Sequence, residues 1–295
     1  MSYLPTRPGR HGGMEIRGLR HHLVCWGPDS DDPLLLLHGF ADSAATFQFL
    51  ADELPPELPL VGVDWRGFGG SARSPGGYWF PDYTADLEQI IDRLCPRRPA
   101  RIVGHSMGAN VAMTYAGVRP SRVRALVNLE GFGLARANPA QAPERIAQWL
   151  DELREPLADA EYADLAELAA RIRKRNPRLS AERAQFIATC WSAPLPHGGV
   201  RLLADPAHRR VNPYLYRREE MEACWRRIEA RVLIVVGEES ELLPRLAPEG
   251  GVESFRAHVP NLRIEKLAGA GHMLHHEAPR ALARLIEAFA GNSEP

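Results

Sequence analysis

Ser106 stands in the run Gly104-His105-Ser106-Met107-Gly108, after the strand-forming residues Arg101, Ile102 and Val103 and before the helix-like stretch "ANVAMTYAGV". A strand that turns into a helix through glycine, one residue, serine, one residue and glycine is a nucleophile elbow. The serine there is held in a strained conformation above the sheet, and side chains two positions to either side would collide with the adjoining strand and helix. The Met107 backbone N–H falls at the positive end of that helix, where it stabilises a developing oxyanion. A second donor is expected from the loop after the apolar run Leu34 to Leu37. It is the backbone N–H of Phe40, behind Gly39, which lets the chain approach closely. A serine hydroxyl is a weak nucleophile at neutral pH and needs a base. His272, in the small-residue loop Gly269-Ala270-Gly271-His272-Met273, is the candidate. His275 and His276 fall where the final helix begins and are read as surface or supporting residues, His38 and His105 as neighbours of the site. A three-histidine metal site from "HMLHH" lacks the accompanying pattern of a zinc enzyme, so no metal is expected.

The elements that must position these groups alternate along the chain. "PLLLLHGF", "LPLVGVDWRGFGGS", "ARIVGHS", "VRALVNLEGFG" and "RVLIVVGEES" are near-continuous apolar runs, as parallel strands covered on both faces should be. "HHLVCWG" is a plausible early strand and "NLRIEKLAGAGHM" a late one. Helical spacing appears at Phe47, Leu50 and Leu54, at Leu87, Ile90, Ile91 and Leu94, and in the closing "PRALARLIEAFA". The pattern predicts an α/β fold, a mostly parallel central sheet flanked by helices. From about Leu134 to Ile228 only helical pieces occur, which predicts a helical cap inserted as residues 134–228 into a core of residues 1–133 and 229–295.

Composition narrows the function classes. With 295 residues, 45% hydrophobic and 25% charged, the chain can bury one large core. A net charge of -1 supplies no global field for nucleic acid or an anionic membrane. Cys25, Cys95, Cys190 and Cys224 are too far apart in sequence for a zinc or dithiol motif. The N-terminal stretch has no signal-peptide core and no run reaches a membrane span. A cytoplasmic protein without membrane insertion is expected. "GFGG" at 67–70 lacks the spacing and following acid of a dinucleotide site, and no cofactor is expected.

"HGF" at 38–40, "DWRGFGGS" at 64–71, "GHSMG" at 104–108 and "GAGHMLHHEAP" at 269–279 occur in an order and spacing similar to those of the α/β-hydrolase superfamily. The likeness covers most of the chain and points to its serine-nucleophile branch with a helical cap. Dehalogenases and epoxide hydrolases of this fold use an aspartate nucleophile, so Ser106 argues against both. The resemblance implies a late histidine, as His272 is, and an aspartate three residues after a glycine following the next-to-last strand. Here that turn reads Gly237, Glu238, Glu239, Ser240. Serine cannot carry the charge that supports an imidazolium.

Glu238, Glu239 or Glu241 could supply the charge from the same loop. Glu130, at the end of "ALVNLEGFG", is favoured instead, because some superfamily members, including serine-hydrolase-like proteins, place their acid after that strand. A carboxylate ending a buried strand is costly unless paired, and the order Ser106, Glu130, His272 is kept. The other reading of Glu130 is an anchor for the cap, paired with Arg136.

The expected function is a serine hydrolase cleaving a carboxylic ester of a small to medium organic substrate through an acyl-enzyme. The alternatives are a lactonase or carbon-carbon bond hydrolase with the same triad, or a non-catalytic ligand-binding receptor. Asp64 and Arg66 are expected to brace loops. The arginines of "RIRKRNPR" at 171–178 are read as ordinary helix surface rather than an anion site. Trp149, Trp191, Tyr214 and Trp225 are assigned either to an acyl pocket or to the core of the cap.

Overall fold

The computed structural model describes residues 2–291. In chain order, β1 (Arg10–Ile16) and β2 (Leu19–Trp26) form a hairpin, followed by β3 (Leu34–Leu37), α1 (Gln48–Ala51), β4 (Leu60–Val63), α2 (Phe80–Leu94), β5 (Ala100–His105), α3 (Met107–Val118) and β6 (Val123–Leu129). A long segment then carries α4 (Ala142–Glu152), β7 (Glu161–Tyr162), α5 (Leu165–Arg175), α6 (Ala181–Trp191), β8 (Ser192–Pro194), β9 (Val200–Leu202) and α7 (Arg218–Trp225). The sheet resumes with β10 (Arg231–Gly237), then α8 (Leu243–Leu246), β11 (Leu262–Leu267), α9 (Leu274–Glu277) and α10 (Pro279–Gly291).

The main sheet has the order β1-β2-β4-β3-β5-β6-β10-β11. β1 and β2 pair antiparallel, as do β2 and β4; every other neighbour is parallel. The apolar runs are continuous because both faces are covered. Leu35, Leu37, Ile102, Val232, Ile234 and Val236 pack into one layer with Leu87, Ile90 and Ile91 of α2 and Val111 of α3. Their alternates Leu34, Leu36, Val103, Leu233 and Val235 pack into the other with Leu282, Ile286 and Phe289 of α10. Burying one such aliphatic side chain contributes roughly 1.5–3 kcal/mol, so the strand centres anchor the elbow and loops at their C-terminal ends.

Two features depart from the sequence pattern. β1 lies in the polar N-terminal stretch, where Arg10 to Met14 remain largely exposed and only Ile16 is fully buried, so no alternation marks it. The segment from 134 to 228 also contains a three-stranded antiparallel sheet, β7-β9-β8, whose two- and three-residue strands are too short to show a period. Within that segment α5 and α6 share a small core of Leu168, Ile172, Leu179, Ala184 and Ile187, which also takes in Phe49. α7 packs against α3 instead. A Cβ on Gly117 would lie 2.0 Å from the Cys224 carbonyl oxygen, and Trp225 joins the main core.

Aromatic stacking seats the segment next to the site. His208 stacks on Phe68 at 3.8 Å and on Tyr78 at 3.5 Å between ring centroids, and Tyr78 donates a 2.6 Å hydrogen bond to Asp205. Asp64 braces the loops beneath, accepting from the Ala44 N–H at 2.6 Å and the Gly70 N–H at 2.8 Å. Arg66 makes two 2.6 Å bonds to Asp86, a buried forked pair. Among the described residues no helix is long and apolar enough to cross a membrane.

Candidate active site

Ser106 joins β5 to α3 with φ 48° and ψ -111°, a backbone conformation that L-residues with a Cβ rarely adopt. The flanking glycines are there for steric reasons. A Cβ on Gly104 would come within 2.7 Å of the Ala109 backbone, and one on Gly108 within 2.3 Å of the Leu37 carbonyl oxygen. A Cβ on Gly39 would meet His105 Nδ1 at 2.6 Å and Ser106 Cβ at 3.1 Å, so the loop carrying Phe40 lies directly against the elbow.

That loop is pinned from below. His38 is fully buried; its Nδ1 donates to the Gly39 carbonyl at 2.7 Å and its Nε2 accepts from the Trp65 N–H at 2.9 Å, which sets a single tautomer. Met107 is the first residue of α3, so its N–H is one of the helix's unpaired N-terminal donors.

Glu130 follows β6 with φ 60°, and it is 1% exposed. Asn128 fixes the turn, accepting from the Gly131 N–H at 2.7 Å and donating to the Gly131 carbonyl at 2.9 Å. The Glu130 carboxylate is enclosed by three donors. Its Oε1 accepts from the Gly237 N–H at 2.7 Å, while its Oε2 accepts from the Ser240 hydroxyl and lies 3.2 Å from His272 Nδ1. Because a carboxylate only accepts, His272 Nδ1 carries the proton, leaving Nε2 free to accept one. The His272 side chain remains 17% exposed, open to a substrate.

The other sequence candidates go elsewhere. Glu239 is half exposed and engages Arg178 at 2.6 Å. Glu238 is exposed, and Glu241 lines a cavity without a bond to the imidazole. Arg136 pairs with Glu222 at 2.7 Å and Glu249 at 3.3 Å, not with Glu130. Ser240, in the position where the resemblance puts an aspartate, donates a hydrogen bond to the Glu130 carboxylate at the end of the neighbouring strand. No spacing rule in the sequence links Ser240 to Glu130.

Of the two readings of His275 and His276, surface or supporting residues, the structure excludes the first. They are 0% and 1% exposed and flank the buried carboxylate of Asp42, at 3.1 Å and 3.5 Å from its Oδ2. Trp191 and Thr46 each donate to Asp42 Oδ1 at 2.8 Å. Asp42 and His275 are 233 positions apart, so periodicity could not reveal the pair. Burial alone would raise the Asp42 carboxyl, but His276 and His275 outweigh it and hold it well below the usual carboxylate range. His105 bridges this cluster to the site: its Nε2 donates to the His272 carbonyl at 2.9 Å, and its ring lies 4.5 Å from that of His275.

These histidines make stability pH-dependent. Burial, then the neighbouring histidines, holds His105 well below its ordinary value. Burial, then His276, brings His275 down to about 4 against the pull of Asp42, and burial brings His208 to about 4. In the unfolded chain each titrates near 6.5. Below that pH the unfolded state takes up protons that the folded state refuses, so stability falls as pH drops from about 6.5 to 4, by the order of a few kcal/mol. Urea unfolding at pH 7.5 and 5.0 checks this; an equal or higher midpoint at pH 5.0 would contradict it.

Two cavities meet at the site. Ser106 and Met107 line one of about 740 Å³ with Phe40, Trp79, Leu134 and Tyr214. His272 lines another of about 520 Å³ with Phe40, Trp191 and Arg175. Of the four tryptophan and tyrosine candidates, Tyr214 and Trp225 line the first cavity, Trp191 the second, and Trp149 packs edge-on against Trp79. A third cavity, about 980 Å³, lies at the opposite strand ends, by Leu34, Arg101 and Arg124. Ligands of open parallel sheets bind at the carboxyl ends, where the first two lie.

Comparison with known proteins agrees with this architecture. The chain is 25% identical over 296 residues to a serine hydrolase-like protein of Danio rerio, covering 95% of this chain and 86% of the relative. It is 28% identical to the 2-(acetamidomethylene)succinate hydrolase of Mesorhizobium japonicum (strain LMG 29417 / CECT 9101 / MAFF 303099), covering 87% of each. Among solved structures, the thioesterase domain from the curacin biosynthetic pathway superposes with a TM-score of 0.84 at 26% identity, covering 95% of this chain and 99% of that one. The family described as "alpha/beta hydrolase fold" matches residues 32–279, most of the chain, and this chain belongs to that family.

Proposed function

We propose that the protein is a serine hydrolase that cleaves a carboxylic ester, or the corresponding thioester, through an acyl-enzyme. The reading rests chiefly on Ser106 at a positive-φ elbow and on His272, whose Nδ1 faces the enclosed carboxylate of Glu130. In the mechanism, His272 Nε2 takes the Ser106 Oγ proton as Oγ bonds to the acyl carbon. The Phe40 and Met107 amides receive the oxyanion, and Glu130 supports the imidazolium. The bond to the leaving oxygen or sulfur breaks as the imidazolium returns its proton to that atom. Water then repeats the sequence on the acyl-enzyme, releasing the carboxylic acid and regenerating Ser106.

The cavity at Ser106 supports an apolar acyl group, since Trp79, Leu134, Tyr214 and Leu215 dominate its lining. Activities named for relatives, on acetamidomethylene succinate and as a thioesterase domain, fall within the same acyl or carbonyl chemistry. Activity on p-nitrophenyl esters is therefore expected to rise with acyl length, up to about fourfold per methylene buried, until the cavity is full. A fluorophosphonate probe is expected to label Ser106. Label without ester turnover would redirect the reading to lactones and β-diketones, whereas neither label nor turnover would favour a binding protein.

A further inference from the structure

In the proposed mechanism, on which this inference rests, the imidazole returns its proton to the leaving atom, so the leaving group departs on the His272 side. The two cavities at the site differ in chemistry. The one at Ser106 is walled mainly by apolar residues, its Arg145 held by the Asn212 carbonyl at 2.6 Å and its Arg217 set against Glu219 and Glu220 at 3.9 Å, while the one at His272 is walled in part by Arg171, Arg175 and Arg178 together with Glu239, Glu241 and Glu277. Arg178 is already engaged by Glu239 at 2.6 Å and Glu277 at 3.8 Å, and the Glu277 carboxylate also accepts from the Gly271 N–H at 2.6 Å.

Arg171 and Arg175 are different. They are four positions apart on α5, one turn of the helix, and among the described residues neither has a carboxylate partner. The Arg171 guanidinium lies only over the Tyr162 ring, 5.8 Å from its centroid. Lys174 shares a neighbouring concavity with both of them, opposed there only by Glu167, whose carboxylate accepts from the Ala163 N–H at 2.8 Å. Glu241, from the loop after β10, is the one carboxylate of the His272 cavity not bonded to another described residue. Positive charge is thus concentrated on the α5 wall, with guanidinium forks suited to a phosphate.

We propose that the leaving group of the natural substrate carries a phosphate, taken up by Arg171 and Arg175 with Lys174 adding to the field, while the apolar acyl group fills the cavity at Ser106. The substrate is then an acyl ester of a phosphorylated alcohol or an acyl thioester of a phosphorylated thiol. The arginine run of the sequence, read there as ordinary helix surface, becomes a specificity element.

The test compares matched pairs that differ only in the phosphate: 1-decanoylglycerol against 1-decanoylglycerol 3-phosphate, and S-decanoyl-pantetheine against its 4′-phosphate. The expected result is a kcat/KM ratio, phosphorylated over unphosphorylated, of about tenfold or more for at least one pair, shrinking as salt is raised. The pair that shows it identifies alcohol or thiol. The double variant Arg171→Gln/Arg175→Gln should bring the ratio close to one, while Arg173→Gln, outside both cavities, should leave it unaltered; the rate of fluorophosphonate labelling at Ser106 reports on whether each variant's site is intact. A wild-type ratio near one for both pairs, or a ratio retained by the double variant, overturns the proposal while ester turnover and labelling leave the hydrolase reading standing. Loss of labelling and of turnover for all four substrates would overturn both.

Discussion

Ser106→Ala is expected to lower kcat about ten-thousand- to million-fold on any ester the protein turns over, with the fold intact. Removing the nucleophile of an acyl-transfer triad leaves only what the oxyanion donors and substrate binding supply, typically a thousand- to ten-thousandfold over water. Folding should tolerate the change, because the strain at φ 48° belongs to the backbone and the elbow's close contacts are made by Gly104 and Gly108. Ser106→Gly should go further and stabilise the protein by about 1 kcal/mol, since glycine adopts positive φ without strain. Steady-state kinetics with thermal unfolding of both variants checks the pair of statements. Activity of Ser106→Ala within tenfold of the unsubstituted protein would remove Ser106 from the chemistry.

Glu130→Gln is expected to cost about ten-thousandfold in kcat, the loss that follows when a triad carboxylate becomes an amide and the imidazole is held in the wrong tautomer. The side chain is buried among the Gly237 N–H, the Ser240 hydroxyl and His272 Nδ1, all donors. An amide can accept through one atom only, and its NH2 must then face a donor, so a loss of about 1–3 kcal/mol in stability accompanies the loss in rate. Glu239→Gln should change kcat less than twofold, because that side chain faces Arg178. Ser240→Ala should fall between, near tenfold, by freeing one of the bonds that aims the carboxylate. If Glu239→Gln were the inactive variant and Glu130→Gln the active one, the acid would lie in the loop after β10.

The arrangement leaves no room for an aspartate at position 240. With Glu130 occupying the space between the ends of β6 and β10, a second carboxylate at 240 would be a few ångströms from the first, and like charges that close destabilise one another. A hydroxyl in the same place donates instead. Ser240 and Glu130 thus form one hydrogen-bonded pair, hydroxyl to carboxylate, across the ends of β6 and β10.

Much of this protein was legible in its residues because the relevant physics is local. Continuous apolar runs fit a sheet covered on both faces, and Gly104 and Gly108, set between a strand-like run and a helix-like one, mark a close strand-to-helix turn. The loop glycines before Phe40 and His272 announce close backbone approaches. The short β7, β8 and β9 were not legible, because two or three residues carry no period, and β1 was hidden by its exposed polar face.

What the sequence by itself determined is the fold, together with candidates for the nucleophile and the base, each written in contiguous residues. What only the tertiary structure decided is which groups meet across the strand ends: Glu130 with Ser240 and His272, and Asp42 with His275 and His276. The physical reason is separation along the chain. These partners lie at least 110 positions apart, and their contact depends on sheet order and on how the strand-end loops seat over the core. Local propensity says nothing about either, so the two histidines, His275 and His276, acquired their buried places beside Asp42 only when the layers closed.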